Sequence, residues 1–173
     1  WNLPTPELPT QPGSLDSLQE QLLAVVDALH STLQRTDRLI AHAAGRTVAG
    51  FLDDALGSID DADPTAGEFI VAVGDPRSRV SLVRRLTARG CRFATVMHPT
   101  AVIGSRTEIG EDVVIAAFAY VGPDAHVGAH CVLNVHSLVG HDSRLGQFCV
   151  LSPFATVNGE SSLEAGVFMG AHE

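Results

Sequence analysis

Lysine is absent from this 173-residue chain, and each of its 11 basic side chains is an arginine. Against 20 acidic residues they leave a formal net charge of −9. So few cations argue against nucleic acid as a partner, because phosphate backbones are held by basic surface. Six of the arginines crowd into residues 77–92, so an anion site elsewhere has few cations to draw on. Cysteine is scarce too: three residues at wide spacing, with no CxxC pair. That excludes a CxxC-type structural zinc site and suggests a reducing compartment. The longest apolar run, VVIAAFAYVG, is too short to span a bilayer, and no signal peptide precedes it. A cytoplasmic protein without a membrane partner is the expectation. The opening residue, Trp1, reads as a processed or trimmed start.

What is present is a globular composition, 45% hydrophobic and 18% charged, on a length that suits one ordinary domain or two small ones. The second half repeats. Aliphatic or methionine side chains recur every sixth residue at Ile103, Ile109, Ile115, Val121, Val127, Leu133, Val139, Leu145, Leu151, Val157, Leu163 and Met169. Four positions after most of them stands a small or short residue, such as Ala119, Cys131, Ser143 or Ala155. Neither a helix nor a single strand has a period of six. A chain turning a corner every six residues does, with glycine or polar residues at the corners. Cys131 and Cys149, 18 residues apart, should then stack as buried thiols.

The first half is less regular. WNLPTPELPTQPG (1–13) reads as an extended proline-rich arm. Residues 14–45 fit either one long amphipathic helix or a strand at LLAVV followed by a helix. TVAGFLDD and EFIVAVGD read as strands, and RSRVSLVRRLTAR (77–89) as a helix with Val80, Val83 and Leu86 inward and its arginines on the other side. Alternation of this kind predicts a small α/β unit with a parallel sheet over residues 14–97.

The ordered set AGRTVAGFLDD, FIVAVGD, HPTAVIG and the hexad array resembles bacterial sugar O-acyltransferases related to sialic acid O-acetyltransferase and UDP-amino-sugar N-acetyltransferases. The resemblance runs from about residue 21 to the end. It implies a Rossmann-like α/β unit followed by a left-handed parallel β-helix of about four coils over 98–173, assembled as a homotrimer. It further implies acetyl-CoA as co-substrate, with no metal, and a sugar-like acceptor acylated on an amino or hydroxyl group. Aligned on LLAVV, the turn that is glycine-rich in relatives is DALHST here, with Asp27 in place of a glycine. A nucleotide-sugar held there in the family manner is not expected. The array stops at Glu173 in register with nothing to cover it, which reads as a truncated chain or an unusual cap.

Counting from Val139 as an inward position turns His141 and Asp142 outward, with Asn134 at the preceding corner. In the resembled family the histidine matching His141, seven residues after an asparagine matching Asn134, is the general base, and an acid like Asp142 stands beside it. The chemistry is apt, since a histidine with an ordinary pKa near 6.5 takes and returns a proton at neutral pH. By the same resemblance Val150, Ser152, Phe154, Asn158 and Gly159 fall along the CoA groove, with Val150 where relatives often have a histidine and Phe154 where they favour glycine. His126, His130, His136 and His172 read as surface, and His98 as a junction residue. Two alternatives stand beside the transferase. One is a degenerate trimeric scaffold. The other is a γ-carbonic-anhydrase-like zinc site using His136, His141 and His98, disfavoured because Gly140, not a histidine, follows the aliphatic position.

Overall fold

The computed structural model describes residues 22–26, 40–52 and 59–173. The arm at 1–13 and the turn at 27–32 lie outside the described residues. Among those described, residues 14–45 take the strand-plus-helix alternative: β1 is Leu22–Val26, and residues 40–43 are helical. With β2 (Thr47–Leu52), β3 (Glu68–Val71) and β4 (Arg92–Phe93) it forms a parallel sheet of order β2-β1-β3-β4. A helix, Pro76–Ala88, connects β3 to β4. Asp75 caps its first turn by accepting from Ser78 N at 2.8 Å, and Pro76 supplies the preset φ of a first helical residue. The Ser78 hydrogen bond holds the Asp75 carboxyl below its ordinary range.

One expectation for this helix is corrected. Its buried face is Arg79, Leu82, Val83 and Leu86; Val80 is half-buried, and Arg79 is wholly enclosed. An inward arginine breaks the rule that long charged side chains stay wet unless paired. It is paired. Arg79 Nη2 lies 3.3 Å from the carboxylate of Asp112, Nε donates to His130 O at 3.1 Å, and Nη1 donates to the carbonyls of Val71 and Val73. His130, read as surface, is therefore also corrected: its Nδ1 sits 3.0 Å from Asp112, and its ring stacks on Phe148.

From Val96 onward the chain is a parallel coil of thirteen two-residue strands, one every six residues. They pair 18 residues apart into three sheets, for example His126 with Arg144 and Val132 with Val150. The predicted column lines the interior: Ile115, Val121, Val127, Leu133, Val139, Leu145, Leu151 and Val157 are buried in one cluster, and Ile109, Leu163 and Met169 pack on its ends. Only Ile103, at the first coil, is exposed. The small column completes the cluster. Cys131 and Cys149 are buried and free, each thiol donating to a carbonyl 15 residues on, Gly146 O and Glu164 O.

Outward residues give the three faces different characters. A mixed face shows Val102, Tyr120, Leu138 and Thr156, and a polar face shows Glu108, His126, Arg144 and Ser162. The third face turns Val96, Val114, Val132 and Val150 against Ile40, Ala41, Ile70 and Ala72, so the α/β sheet seats on it. Strands apolar on both sides belong where both sides are covered.

Corners depart from expectation in an instructive way. The residue with positive φ is not the glycine after the aliphatic position but the one two places later. It recurs every six residues from Arg106 to His172, and only at Gly166 is it a glycine. A left-handed conformation costs a residue with a β-carbon about 1–2 kcal/mol. From Asp124 to Gly166 each such residue recovers part of this by donating its N–H to a carbonyl of the preceding coil, as Asp142 does to Pro123 O at 3.1 Å. The glycines serve close approach instead. A β-carbon at Gly140 would lie 2.3 Å from Gly159 N in the next coil. Gly140→Ala should therefore cost about 3 kcal/mol, the upper part of the usual overpacking range. Urea unfolding would show this as a lower midpoint at an unchanged slope.

Candidate active site

The corners form three columns with distinct chemistry. Between the mixed and polar faces stand Arg106, Asp124, Asp142 and Glu160, an acidic corner. Between the polar and covered faces stand Asp112, His130 and Phe148, the buried corner that receives Arg79. Between the covered and mixed faces Phe118, His136, Phe154 and His172 stack ring on ring, with centroids 5.1, 4.9 and 5.0 Å apart.

His141 stands on the acidic corner, one residue before its left-handed Asp142, and both are exposed. That conformation folds the short carboxylate back onto its neighbour. Asp142 Oδ2 lies 2.8 Å from His141 Nδ1. A carboxylate can only accept, so Nδ1 carries the proton, and the lone pair of the neutral ring is on Nε2. The hydrogen bond to Asp142 raises the imidazole pKa above its ordinary value; it outweighs the opposing effect of desolvation, and the charges of Asp142 and Glu160 add to it. Next along the corner, Arg106 takes Asp124 in a two-point pair, Nε to Oδ1 at 2.6 Å, which holds that carboxyl below its ordinary range. Arg106 is thus engaged by Asp124, and Asp142 is left to the histidine. The polar face beside this corner carries an open groove of about 440 Å³ whose walls include His126, Arg144, Gln147 and Ser162.

Within one chain the predicted residues fall into two groups. His141, Asp142, Asn158 and Gly159 share the acidic corner. Asn134, Ser152 and Phe154 belong to the aromatic corner, where Asn134 Nδ2 donates to Leu151 O at 3.0 Å. The mixed face separates the two groups, so Asn134 does not meet His141 in this chain. Val150 is 1% exposed, packed between the coil and the α/β sheet, and has no side-chain surface to offer a ligand. His136 lies between the rings of Phe118 and Phe154, a corner away from His141, so those two do not converge as zinc ligands within the chain. Among the described residues no group of three or more His, Cys, Asp or Glu could hold a metal ion. His98 keeps its junction place, with Nδ1 2.8 Å from Thr100 Oγ1. No helix among the described residues is long and apolar enough to cross a membrane.

Two clusters went unanticipated: the Arg79–Asp112–His130 network and the aromatic ladder. Both were signalled by 18-residue spacing, Asp112 to His130 and Phe118 to His136 to Phe154 to His172.

Comparison with known proteins follows the same lines. The family of bacterial transferase hexapeptide (six repeats) matches residues 100–141. By sequence alone no curated protein matches. Among solved structures, a histidine-to-asparagine variant of perosamine N-acetyltransferase from Caulobacter crescentus, in complex with CoA and GDP-perosamine, superposes with a TM-score of 0.73. It is 25% identical, over 86% of this chain and 83% of that one. WeeI from Acinetobacter baumannii superposes at 0.74 with 21% identity, over 88% of this chain and 79% of its own. The acetyltransferase domain of PglB from Neisseria gonorrhoeae gives 0.56 at 21% identity, over 87% and 92%. The last two show a shared fold. The array over residues 100–141 is thus of the bacterial transferase hexapeptide type, set in a chain folded like perosamine N-acetyltransferase.

Proposed function

We propose that this protein transfers an acetyl group from acetyl-CoA to an amino group of a sugar-like acceptor, with His141 as the general base. The observation that carries this reading is the His141–Asp142 pair, 2.8 Å apart on an exposed corner of a hexapeptide coil. A structural neighbour that holds CoA and GDP-perosamine together supports the choice of co-substrate and of an amino acceptor.

The chain's own groups suffice for the proton chemistry. Asp142 fixes the tautomer and the orientation of the ring, and would stabilise the imidazolium as it forms. His141 Nε2 accepts the proton of the acceptor amine while its nitrogen bonds to the thioester carbonyl carbon. As the carbon–sulfur bond breaks, the departing thiolate takes that proton from the imidazolium, and His141 returns to its neutral form. Proton and electron pairs balance with no further reagent.

The two separated groups of residues favour a cyclic homotrimer, and the family resemblance gives its coil a left hand. If the aromatic corner of one copy faces the acidic corner of the next, Asn134, Ser152 and Phe154 of one chain approach His141, Asn158 and Gly159 of another. A groove so formed would receive acetyl-CoA. At 100 times its dissociation constant acetyl-CoA should raise unfolding free energy by about 2.7 kcal/mol. Thiol release should then follow addition of an amino-sugar acceptor. Absence of both responses would leave the trimeric scaffold as the reading.

A further inference from the structure

We propose that Gly159 is a positioning residue for His141, the bare floor on which the imidazole lies so that Nδ1 stays on Asp142 and the Nε2 lone pair points off the corner. The inference rests on the reading of His141 as base and gives Gly159 a task apart from any contact with CoA.

Gly159 stands 18 residues after His141, at the same corner one coil on. An added β-carbon there would lie 2.6 Å from His141 Nε2 and 2.9 Å from both Cδ2 and Cε1. Those distances locate it. A point in the ring plane, along the lone pair, would be much farther from the two carbons than from the nitrogen. Nearly equal distances put it above the face of the ring, over Nε2. The imidazole therefore lies flat on Gly159, and its in-plane lone pair is left open.

Other coil glycines differ in what they avoid. Gly104, Gly122 and Gly140 would each drive a β-carbon into the backbone of the next coil, which cannot yield. Gly159 has no positive φ, and its three nearest neighbours are all atoms of the His141 ring. What an alanine meets first is thus the ring above it, a side chain that can turn aside, and not the backbone of the next coil. The way out is rotation of the imidazole, which breaks its contact with Asp142. The charged groups facing the ring are Asp142 and Glu160, with Arg106 acting on Asp142.

The test is Gly159→Ala in the full chain. Turnover at saturating acetyl-CoA should fall about 10²-fold, the scale of an ångström's misplacement of a catalytic group. The His141 titration, followed by NMR of its ring protons, should move down toward an ordinary histidine as Asp142 is lost. Wild-type turnover together with a wild-type His141 titration overturns the proposal. Because the titration is read without substrate, it judges the positioning even where His141→Ala stays active and the base assignment fails. Should Gly159→Ala instead destabilise the fold, His141→Ala in the same chain should restore stability, since the obstructing ring is gone. A double variant no more stable than the single one also overturns it.

Discussion

Asp112→Asn is expected to lower the stability of the folded chain by about 3–5 kcal/mol, the usual cost of removing one partner from a buried ion pair. Arg79 and Asp112 are both fully enclosed, so neither can fall back on water. Asparagine keeps the short side chain that tolerates the positive φ of 50° at this position and can still accept from Val71 N. What it removes is the charge facing Arg79. A guanidinium cannot shed its proton, and the hydrogen bonds it keeps to the carbonyls of Val71, Val73, Asp112 and His130 carry no full negative charge. Arg79→Met should cost a comparable amount, and the double variant less than the sum of the two. Urea unfolding at fixed protein concentration measures all three, and strict additivity would show that the pair is not coupled.

The network matters because of where it sits. Val71 ends β3, Arg79 is on the following helix, and Asp112 and His130 belong to successive coils. One arginine therefore fixes the C-terminal edge of the sheet to the side of the coil.

That contact also marks where the sequence was legible and where it was not. Periodicity of six revealed the coil because a two-sided constraint, an inward aliphatic and an inward small residue, repeats with little interference from anything else. Val139 inside and His141 outside followed directly. The helix at 76–88 was legible as a helix but not in its facing. Hydrophobicity assigns arginine to water, and it is the distant carboxylate of Asp112, with carbonyls of Val71, Val73 and His130, that makes Arg79 an interior residue. His130 was misplaced for the same reason, since a corner residue is outward only until another element covers it.

The candidate site divides similarly. His141 and Asp142 are adjacent in sequence and meet in space. The family resemblance groups Asn134 with them, yet in a three-sided coil the seven residues between it and His141 carry the chain past one corner and along a face. Positions 18 apart, not neighbours along the chain, share a corner. Read modulo 18, the sequence places Gly159 over His141, His130 over Asp112 and Phe154 over His136.

His141→Ala should reduce acetyl transfer about 10²–10⁴-fold, the span that a positioned general base contributes, with little change in unfolding midpoint, since the ring is 58% exposed. The pH dependence gives the sharper reading. A base works as the neutral imidazole, so activity rises with pH as the ring loses its proton. The hydrogen bond to Asp142 raises the pKa of that ring above 6.5. The acidic limb of kcat/KM should therefore lie above 6.5 in the native protein. Asp142→Asn keeps a side chain suited to the left-handed backbone at φ 56° but withdraws the charge. Its limb should move to lower pH, with a lower plateau because the ring is less firmly oriented. Histidine is thus tested by two variants with opposite signatures: loss of rate at every pH in one, and displacement of the limb in the other. An unmoved limb in Asp142→Asn would detach the carboxylate from the reaction, and a His141→Ala protein with native turnover would move the search for the base to another corner of the coil.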